Sequence, residues 1–500
     1  MLPQPTTFSV PIPQPPGPDR YSVSRLSGSL GLQYRWIQPV RTVCGAGRWR
    51  PRETSSSDLG AYSLRGPPQG LILRRPQQLK RTLRARERRE NQVSTFGIVV
   101  GGGPAPGING VIGAATRAAR RTGARVIGIH QGFQWLMEGN LEHSREIDDD
   151  AVTDIHHRGG SILGTSRANP TRNPDHLQQV VESLERLGID HLVSIGGDDT
   201  CSSARRVGEA ASGEIRVAHV PKTIDNDLPL PEGIPTFGYE TARSVASTLL
   251  ATLLEDARTT ERWYITVLMG RNAGHLALGA GQSAGATAML VAEEFPEGPI
   301  GLTSVAQTIE ATIVKRTAEG QPHGVIVLAE GIGDRLDPGE LAELSDLPRD
   351  DHGHVRLAEL PLGRLVRDQV QKGLSQVGIK TTIVAKDIGY ELRCASPNAF
   401  DQEYTRDLGV GAVELLLAGQ NNVMVTRQMD QIVPIPFEDI LDAETGRTRV
   451  RLLNTQSLAF QTARKLQTRL DPADLDHAEQ VARLMAVTGL DQQALKARYS

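Results

Sequence analysis

From Phe96 onward, short apolar runs alternate with amphipathic stretches, and this alternation restricts the chain to few architectures. Strands are expected at 96–100, 125–129, 191–195, 216–220, 264–269, 289–291, 325–328 and 381–384. Helical stretches lie between most of them. Between 175 and 187, Leu177, Val180, Val181, Leu184 and Leu187 recur on one helix face. Strands alternating with helices imply parallel βαβ units, so the fold class is α/β with doubly wound, mostly parallel sheets. Residues 93–425 are expected to build two such lobes. Residues 426–500 are expected to be a mainly helical segment packing on that core, with helical patterns at 458–470 and 475–485.

Composition supports this reading. Five hundred residues leave room for roughly two to four domains. The 51 glycines, against 8 Phe, 8 Tyr and 4 Trp, suit many tight strand-to-helix turns. Cys44, Cys201 and Cys394 are far apart and odd in number, which gives neither a disulfide framework nor a metal-ligand spacing. A reducing, cytoplasmic setting is therefore expected. No apolar run is long enough to span a bilayer.

Charge divides the chain. Residues 1–90 hold 16 Lys+Arg against 5 Asp+Glu, and the remainder holds 39 against 53. The acidic body repels polyanions, so an enzyme acting on them must gather its cations locally. Residues 1–92 are rich in Pro, Ser, Gln and Arg without apolar periodicity, and are expected to be a basic, disordered extension. It has no apolar h-region, so no secretory signal is expected. An organelle transit peptide or a nucleic-acid-binding arm around residues 80–86 stays open, beside a plain solvated tail.

Chemistry concentrates where predicted strands end. Gly101-Gly102-Gly103-Pro104-Ala105-Pro106-Gly107-Ile108-Asn109 follows the first strand and opens a helix, a geometry whose free N–H groups favour an anion. A tight turn that binds nothing is the bland alternative. Gly159–Arg167 is a second glycine-rich loop, with Arg167 able to reach a phosphate. Gly196-Gly197-Asp198-Asp199-Thr200 ends the 191–195 strand, where open α/β sheets bind ligands. Asp198 could hold Mg2+, a hard ion that prefers carboxylate and phosphate oxygens. Capping of a helix at 201–211 would explain one of Asp199 and Thr200, but not two adjacent carboxylates after two glycines. Pro221-Lys222-Thr223-Ile224-Asp225-Asn226-Asp227 follows the 216–220 strand. Asp225 could take a proton from an attacking hydroxyl, and Lys222 could neutralise a phosphoryl group in flight.

Five segments, in order, resemble the phosphofructokinase family: Gly102 to Asn109, Gly196 to Thr200, Pro221 to Asp227, Met269-Gly270-Arg271 with Gly274, and Ala329-Glu330-Gly331. The resemblance covers about 94–425. It implies two lobes with the active site between them, and transfer of a phosphoryl group to the C1 hydroxyl of fructose 6-phosphate. It makes Asp225 the general base, Lys222 and Asp199 its catalytic neighbours, and Asp198 the Mg2+ ligand. Gly102 and Arg167 would touch the phosphoryl donor. Thr223, Ile224, Met269, Gly270, Arg271, Glu330, Tyr390 and Arg393 would contact the sugar phosphate. Arg262 would reach a neighbouring subunit's site in a homodimer or homotetramer.

The donor turns on Asp199 and Lys222. ATP-using members generally carry glycine at the first position and often at the second, whereas Asp with Lys is the pattern of pyrophosphate-dependent members. A carboxylate about 4 Å from an ATP α-phosphate would be repelled by roughly 4 kcal/mol at an effective dielectric near 20. That approaches a thousandfold loss of affinity. Pyrophosphate escapes the clash, and the resemblance implies a reversible reaction serving glycolysis and gluconeogenesis. The alternatives are an ATP-dependent 6-phosphofructokinase, a kinase of sedoheptulose 7-phosphate, a non-catalytic regulatory subunit, and a nucleic-acid-binding protein acting through residues 1–90. The presence of Asp198 and Asp225 argues against the third, and the acidic body against the fourth.

Overall fold

A computed structural model describes residues 93–342 and 360–499. The expectations for residues 1–92, Cys44 among them, lie outside the described residues. Thr95–Val100 (β1) is buried along its whole length, as the continuous apolar run demands of a strand covered on both faces. Arg125–Ile129 (β2), Ser144–Glu146 (β3), His191–Gly196 (β4), Arg216–Pro221 (β5), Val423–Gln428 (β10) and Gln431–Pro436 (β11) join it in one sheet, ordered β11-β10-β5-β4-β1-β2-β3. The inner strands are parallel, and β3 and β11 run antiparallel at the two edges. Trp263–Leu268 (β6), Ala288–Leu290 (β7), Gly324–Ala329 (β8) and Ile383–Ile388 (β9) make a second, wholly parallel sheet ordered β7-β8-β6-β9. The doubly wound α/β class with two lobes is thus observed.

Alternate residues of each strand feed opposite faces. In the first lobe Ile98 and Val100 pack under Ile108–Arg121 (α1), while Val99 turns to the cluster beneath Pro174–Arg186 (α2) and Asp198–Ala210 (α3). In the second lobe Ile265 and Ile326 face Leu302–Ala318 (α6). Tyr264 and Val327 face Tyr239–Thr260 (α4) and His275–Ala284 (α5). Leu362–Gln376 (α7) joins the α6 side, and Ala399–Leu417 (α8) lies over the first sheet. The α4 N-terminus is closed by the buried Asp401, whose carboxylate accepts from Gly238 N and Thr241 N at 2.8 Å each.

The eight expected strands appear with bounds shifted by zero to four residues. One correction concerns the end of the core. The boundary expected at 425 falls inside β10, and the sheet continues to Pro436. After that edge residues 441–457 are largely irregular, and helices follow at Leu458–Leu466 (α9), Ala478–Thr488 (α10) and Gln492–Tyr499 (α11), the first ending four residues short of the expected 470 and the second starting three residues later than the expected 475. Phe460 packs in one second-lobe cluster and Leu484 and Leu495 in the other. No helix among the described residues is long and apolar enough to cross a membrane.

Candidate active site

In the first sheet β1 leads outward to β2 on one side, while β4, its other neighbour, leads to β5. Chain direction therefore diverges between β1 and β4, and their carboxyl ends leave a crevice there. The three glycine-rich loops meet in it. Gly101 N donates to Ile195 O at 2.9 Å, Gly102 N to Ser166 O at 2.8 Å, and Thr165 Oγ1 to Gly102 O at 2.5 Å. Gly102 sits at φ +80°, where a side chain would be strained, and a Cβ on it would lie 3.4 Å from Lys222 Nζ. Asn109 is buried and holds the neighbouring loop rather than a ligand. Its Nδ2 donates to Arg158 O at 3.1 Å, and its Oδ1 accepts from Ile162 N at 2.9 Å.

Helix α3 begins three residues earlier than expected. Its N-cap is Gly197, with no side-chain cap, and both aspartates occupy the first turn. The capping alternative therefore fails for Asp199 and Thr200. Carboxylates in a first turn are favoured by the helix dipole, and here they remain free to face the crevice. Thr200 is instead buried against the strand ends, where a Cβ on Gly196 would come within 2.3 Å of it. Asp199 is open to solvent on one side. Water lost on the cleft side, and then Asp198, push its carboxyl above the usual range, against Arg172, Arg167 and Arg447. The bare negative charge expected at this position thus has three guanidinium groups around it.

The 222–227 loop lies deeper. Lys222 is 4% exposed, and its ammonium donates to Gly103 O. Burial brings it down to about 8, with Asp225 resisting and Arg393 assisting. Burial pushes Asp225 up to about 7, with Asp227 and Glu330 adding to the rise and Arg393 and Arg271 opposing it. The loop is built around Asn226, a non-glycine residue at φ 58°. Asp225 N donates to Thr223 Oγ1 at 3.0 Å, Thr236 N to Asn226 Oδ1 at 3.0 Å, and Thr236 Oγ1 to Thr223 O at 2.7 Å. Beneath it the buried His219 sits 3.2 Å from Ser194 Oγ through Nδ1 and 3.0 Å from Gly196 O through Nε2. Burial holds the ring neutral, down to about 3.

The second lobe supplies the opposite wall from the ends of β6, β8 and β9. Glu330 Oε2 accepts from Gly270 N at 3.2 Å, which shapes the Met269-Gly270-Arg271 turn. Arg393 lies over the Tyr390 ring, 5.0 Å from its centroid. The resulting cavity is about 380 Å³. Five carboxylates (Asp198, Asp199, Asp225, Asp227, Asp334) and four cations (Arg167, Lys222, Arg271, Arg393) line it, so it suits a ligand that carries negative charge together with a cation. None of the three arginines has an ion-pair partner among the described residues, which leaves each available to a phosphate. Met269, Glu330 and Tyr390 line a smaller adjoining cavity of about 240 Å³, and Asp334 borders both. Ile224 borders the main cavity but is packed into the second-lobe core.

One expected residue is not brought to the cleft. Arg262 precedes β6, at the opposite end of that strand from Met269, and its Nε is 3.9 Å from Asp256. Two carboxylates given no role from the sequence border the cleft. Asp227 accepts from Asn272 Nδ2 at 3.0 Å, and its place in the same short motif was the available signal. Asp334 follows the Glu330-Gly331 turn without any motif of its own. No three His, Cys, Asp or Glu side chains among the described residues form a ready-made metal cluster.

The sequence profile of phosphofructokinase matches residues 95–416. A relative from Naegleria fowleri, named pyrophosphate--fructose 6-phosphate 1-phosphotransferase, is 49% identical over 403 residues, covering 79% of this chain and 92% of that protein. One of the same name from Thermotoga maritima is 46% identical over 409 residues, covering 81% and 97%. An ATP-dependent 6-phosphofructokinase from Mycobacterium bovis is 32% identical over 345 residues, covering 69% and 93%. Among solved structures, the pyrophosphate-dependent phosphofructokinase of Marinobacter aquaeolei superposes with a TM-score of 0.56 at 19% identity, covering 75% of this chain and 90% of that one, and supports the fold.

Proposed function

The chain belongs to the phosphofructokinase family, and on that premise we propose that it transfers a phosphoryl group from inorganic pyrophosphate to the C1 hydroxyl of fructose 6-phosphate. The products are fructose 1,6-bisphosphate and orthophosphate. The observation that carries this reading is the pairing, in one cleft, of a half-buried Asp225 pushed up to about 7 with a buried Lys222 brought down to about 8. A base works best when its pKa lies near the working pH.

In this reading Asp225 accepts the C1 hydroxyl proton as that oxygen attacks phosphorus, and the bridging P–O bond of pyrophosphate breaks. Lys222 faces the charge that develops on the transferred group. Gly102 and Arg167 hold the donor. Arg271 and Arg393 grip the sugar phosphate, with Thr223, Ile224, Met269, Gly270, Glu330 and Tyr390 shaping the rest of its site. Asp198, and the pyrophosphate oxygens, would hold Mg2+, which when bound neutralises donor charge. Asp199 disfavours a nucleotide at the donor end. The relatives named for pyrophosphate, at 46–49% identity against 32% for the ATP-dependent one, support the choice of donor.

Steady-state assays with pyrophosphate and with ATP test this, and robust turnover of ATP without pyrophosphate turnover rejects it. The motif reads the phosphate end and the reacting hydroxyl, so sedoheptulose 7-phosphate belongs in the same assay. We also read the enzyme as a cytoplasmic homodimer or homotetramer in which Arg262 serves a neighbouring subunit's cleft. Sedimentation, and loss of sugar-phosphate affinity in Arg262→Ala, check that assignment.

A further inference from the structure

A segment far along the chain is built into the 222–227 loop. Arg451 N donates to Asp227 O at 2.7 Å. Its guanidinium donates through Nε to Asn226 O at 3.0 Å, through Nη2 to Asn226 Oδ1, and through Nη1 to Ile234 O at 2.7 Å. On the other side, Arg451 O is 3.0 Å from His275 Nε2 at the start of α5. Two residues on, Leu453 N donates to Glu293 Oε1 at 3.0 Å, an oxygen that also accepts from Gly274 N at 2.8 Å. One residue is thus bonded to a first-lobe loop and to the second lobe.

Three features set Arg451 apart from an ordinary surface arginine. It is half-buried, and no ion pair to it is present among the described residues, so its charge faces carbonyl and amide oxygens. Its fork grips both the backbone and the side-chain oxygen of Asn226, the residue held at positive φ. Asn226 is flanked on either side by the two cleft aspartates, so its φ and ψ fix where both carboxylates point. Asn tolerates the left-handed region better than most L-residues, and bonds to its backbone and side-chain oxygens select that conformation.

We propose that Arg451 is a positioning residue for the phosphoryl transfer: by clamping Asn226 it sets the direction of Asp225 and Asp227, without itself touching substrate. The inference rests on the reading of Asp225 as the base. A planar five-donor fork does this where a lysine ammonium cannot, since the bonds leave three different nitrogens in fixed directions.

The test uses the full-length enzyme with pyrophosphate and fructose 6-phosphate. Arg451→Ala is expected to lower kcat about thirtyfold, somewhat less than the roughly hundredfold that a misplacement of about 1 Å can cost. Both KM values should stay within about threefold, since ground-state binding is untouched. Arg451→Lys should recover little of the loss, and added methylguanidinium should restore part of it to Arg451→Ala. In a double-mutant cycle, Asn226→Gly with Arg451→Ala should be no slower than the worse single variant, because both act through one residue. Unchanged kcat in Arg451→Ala overturns the inference, as do fully additive losses in the cycle or a loss confined to KM. Should Arg451→Ala fail to fold, Arg451→Lys and its own double-mutant cycle with Asn226→Gly decide it. Full activity of Asp225→Asn would instead sink the assignment of the base, whatever Arg451 does.

Discussion

The floor of the cleft and its rim carry the same kinds of side chain in opposite surroundings. At the floor, Lys222 is out of water and Asp225 half-buried, and desolvation is the largest influence on both. At the rim, Asp198, Asp199 and Arg167 stand open to solvent. A charge in a low-dielectric floor is felt strongly by its neighbours, whereas water and salt damp one at the rim. On the proposed reading the difference divides labour: the floor would govern whether the phosphoryl group moves, and the rim would bias which donor enters.

The sharpest way to break that contrast is Asp225→Asn, which keeps the shape and removes the base. It should lower kcat about a thousandfold, near the middle of the range for a lost general base. A loss below tenfold, measured at saturating substrates, would remove Asp225 from the chemistry. Lys222→Met comes next, with kcat expected to fall about a hundredfold as charge stabilisation is lost. If the loss appeared only in the KM for pyrophosphate, the floor would be binding rather than reacting.

Asp199→Gly probes the rim and should be gentler. The near-thousandfold repulsion expected from the sequence assumed a naked carboxylate. Solvent exposure and the nearby Arg167, Arg172 and Arg447 reduce it. A gain of about tenfold in ATP turnover is expected, as fits a screened charge. No gain in ATP binding would count against any role for Asp199 in donor choice.

The pH dependence sharpens the comparison without large effects. Asp225 is charged above about 7 and Lys222 below about 8, so kcat/KM should be bell-shaped with limbs near those values. Stability runs the other way. Asp225 has its folded pKa raised, so its contribution to stability is present below 3.8 and is lost as pH rises through about 7. Asp225→Asn should therefore melt above the parent enzyme at pH 8 and level with it near pH 4, by thermal denaturation. A parent that melts higher at pH 8 would mean that the floor carboxylate is not desolvated.

The parts that could be read from the chain are those with a short-range signal. Buried parallel strands announce themselves as apolar runs, and β2 was placed without error for that reason. Edge strands do not: β3 is three residues of Ser-Arg-Glu, and β11 carries two prolines on an exposed margin. The strand β10 sat at an expected boundary because its neighbour β5 is more than two hundred residues away. At the site, residues inside the glycine-rich turns and the 221–227 motif were named in advance. Asp334 and Arg451 were not, since neither lies in a motif.

Sequence alone determined the alternating α/β architecture, the loops at the strand ends and the residues proposed to react, because periodicity and local turn chemistry are properties of neighbouring residues. Only the tertiary structure decided which carboxylate is half-buried and which is exposed, that Asp199 has arginines around it, and that Arg262 stands away from its own cleft. Those are matters of solvent access and of contacts between distant segments. Desolvation belongs to a side chain's three-dimensional surroundings, and no pattern of adjacent residues contains it.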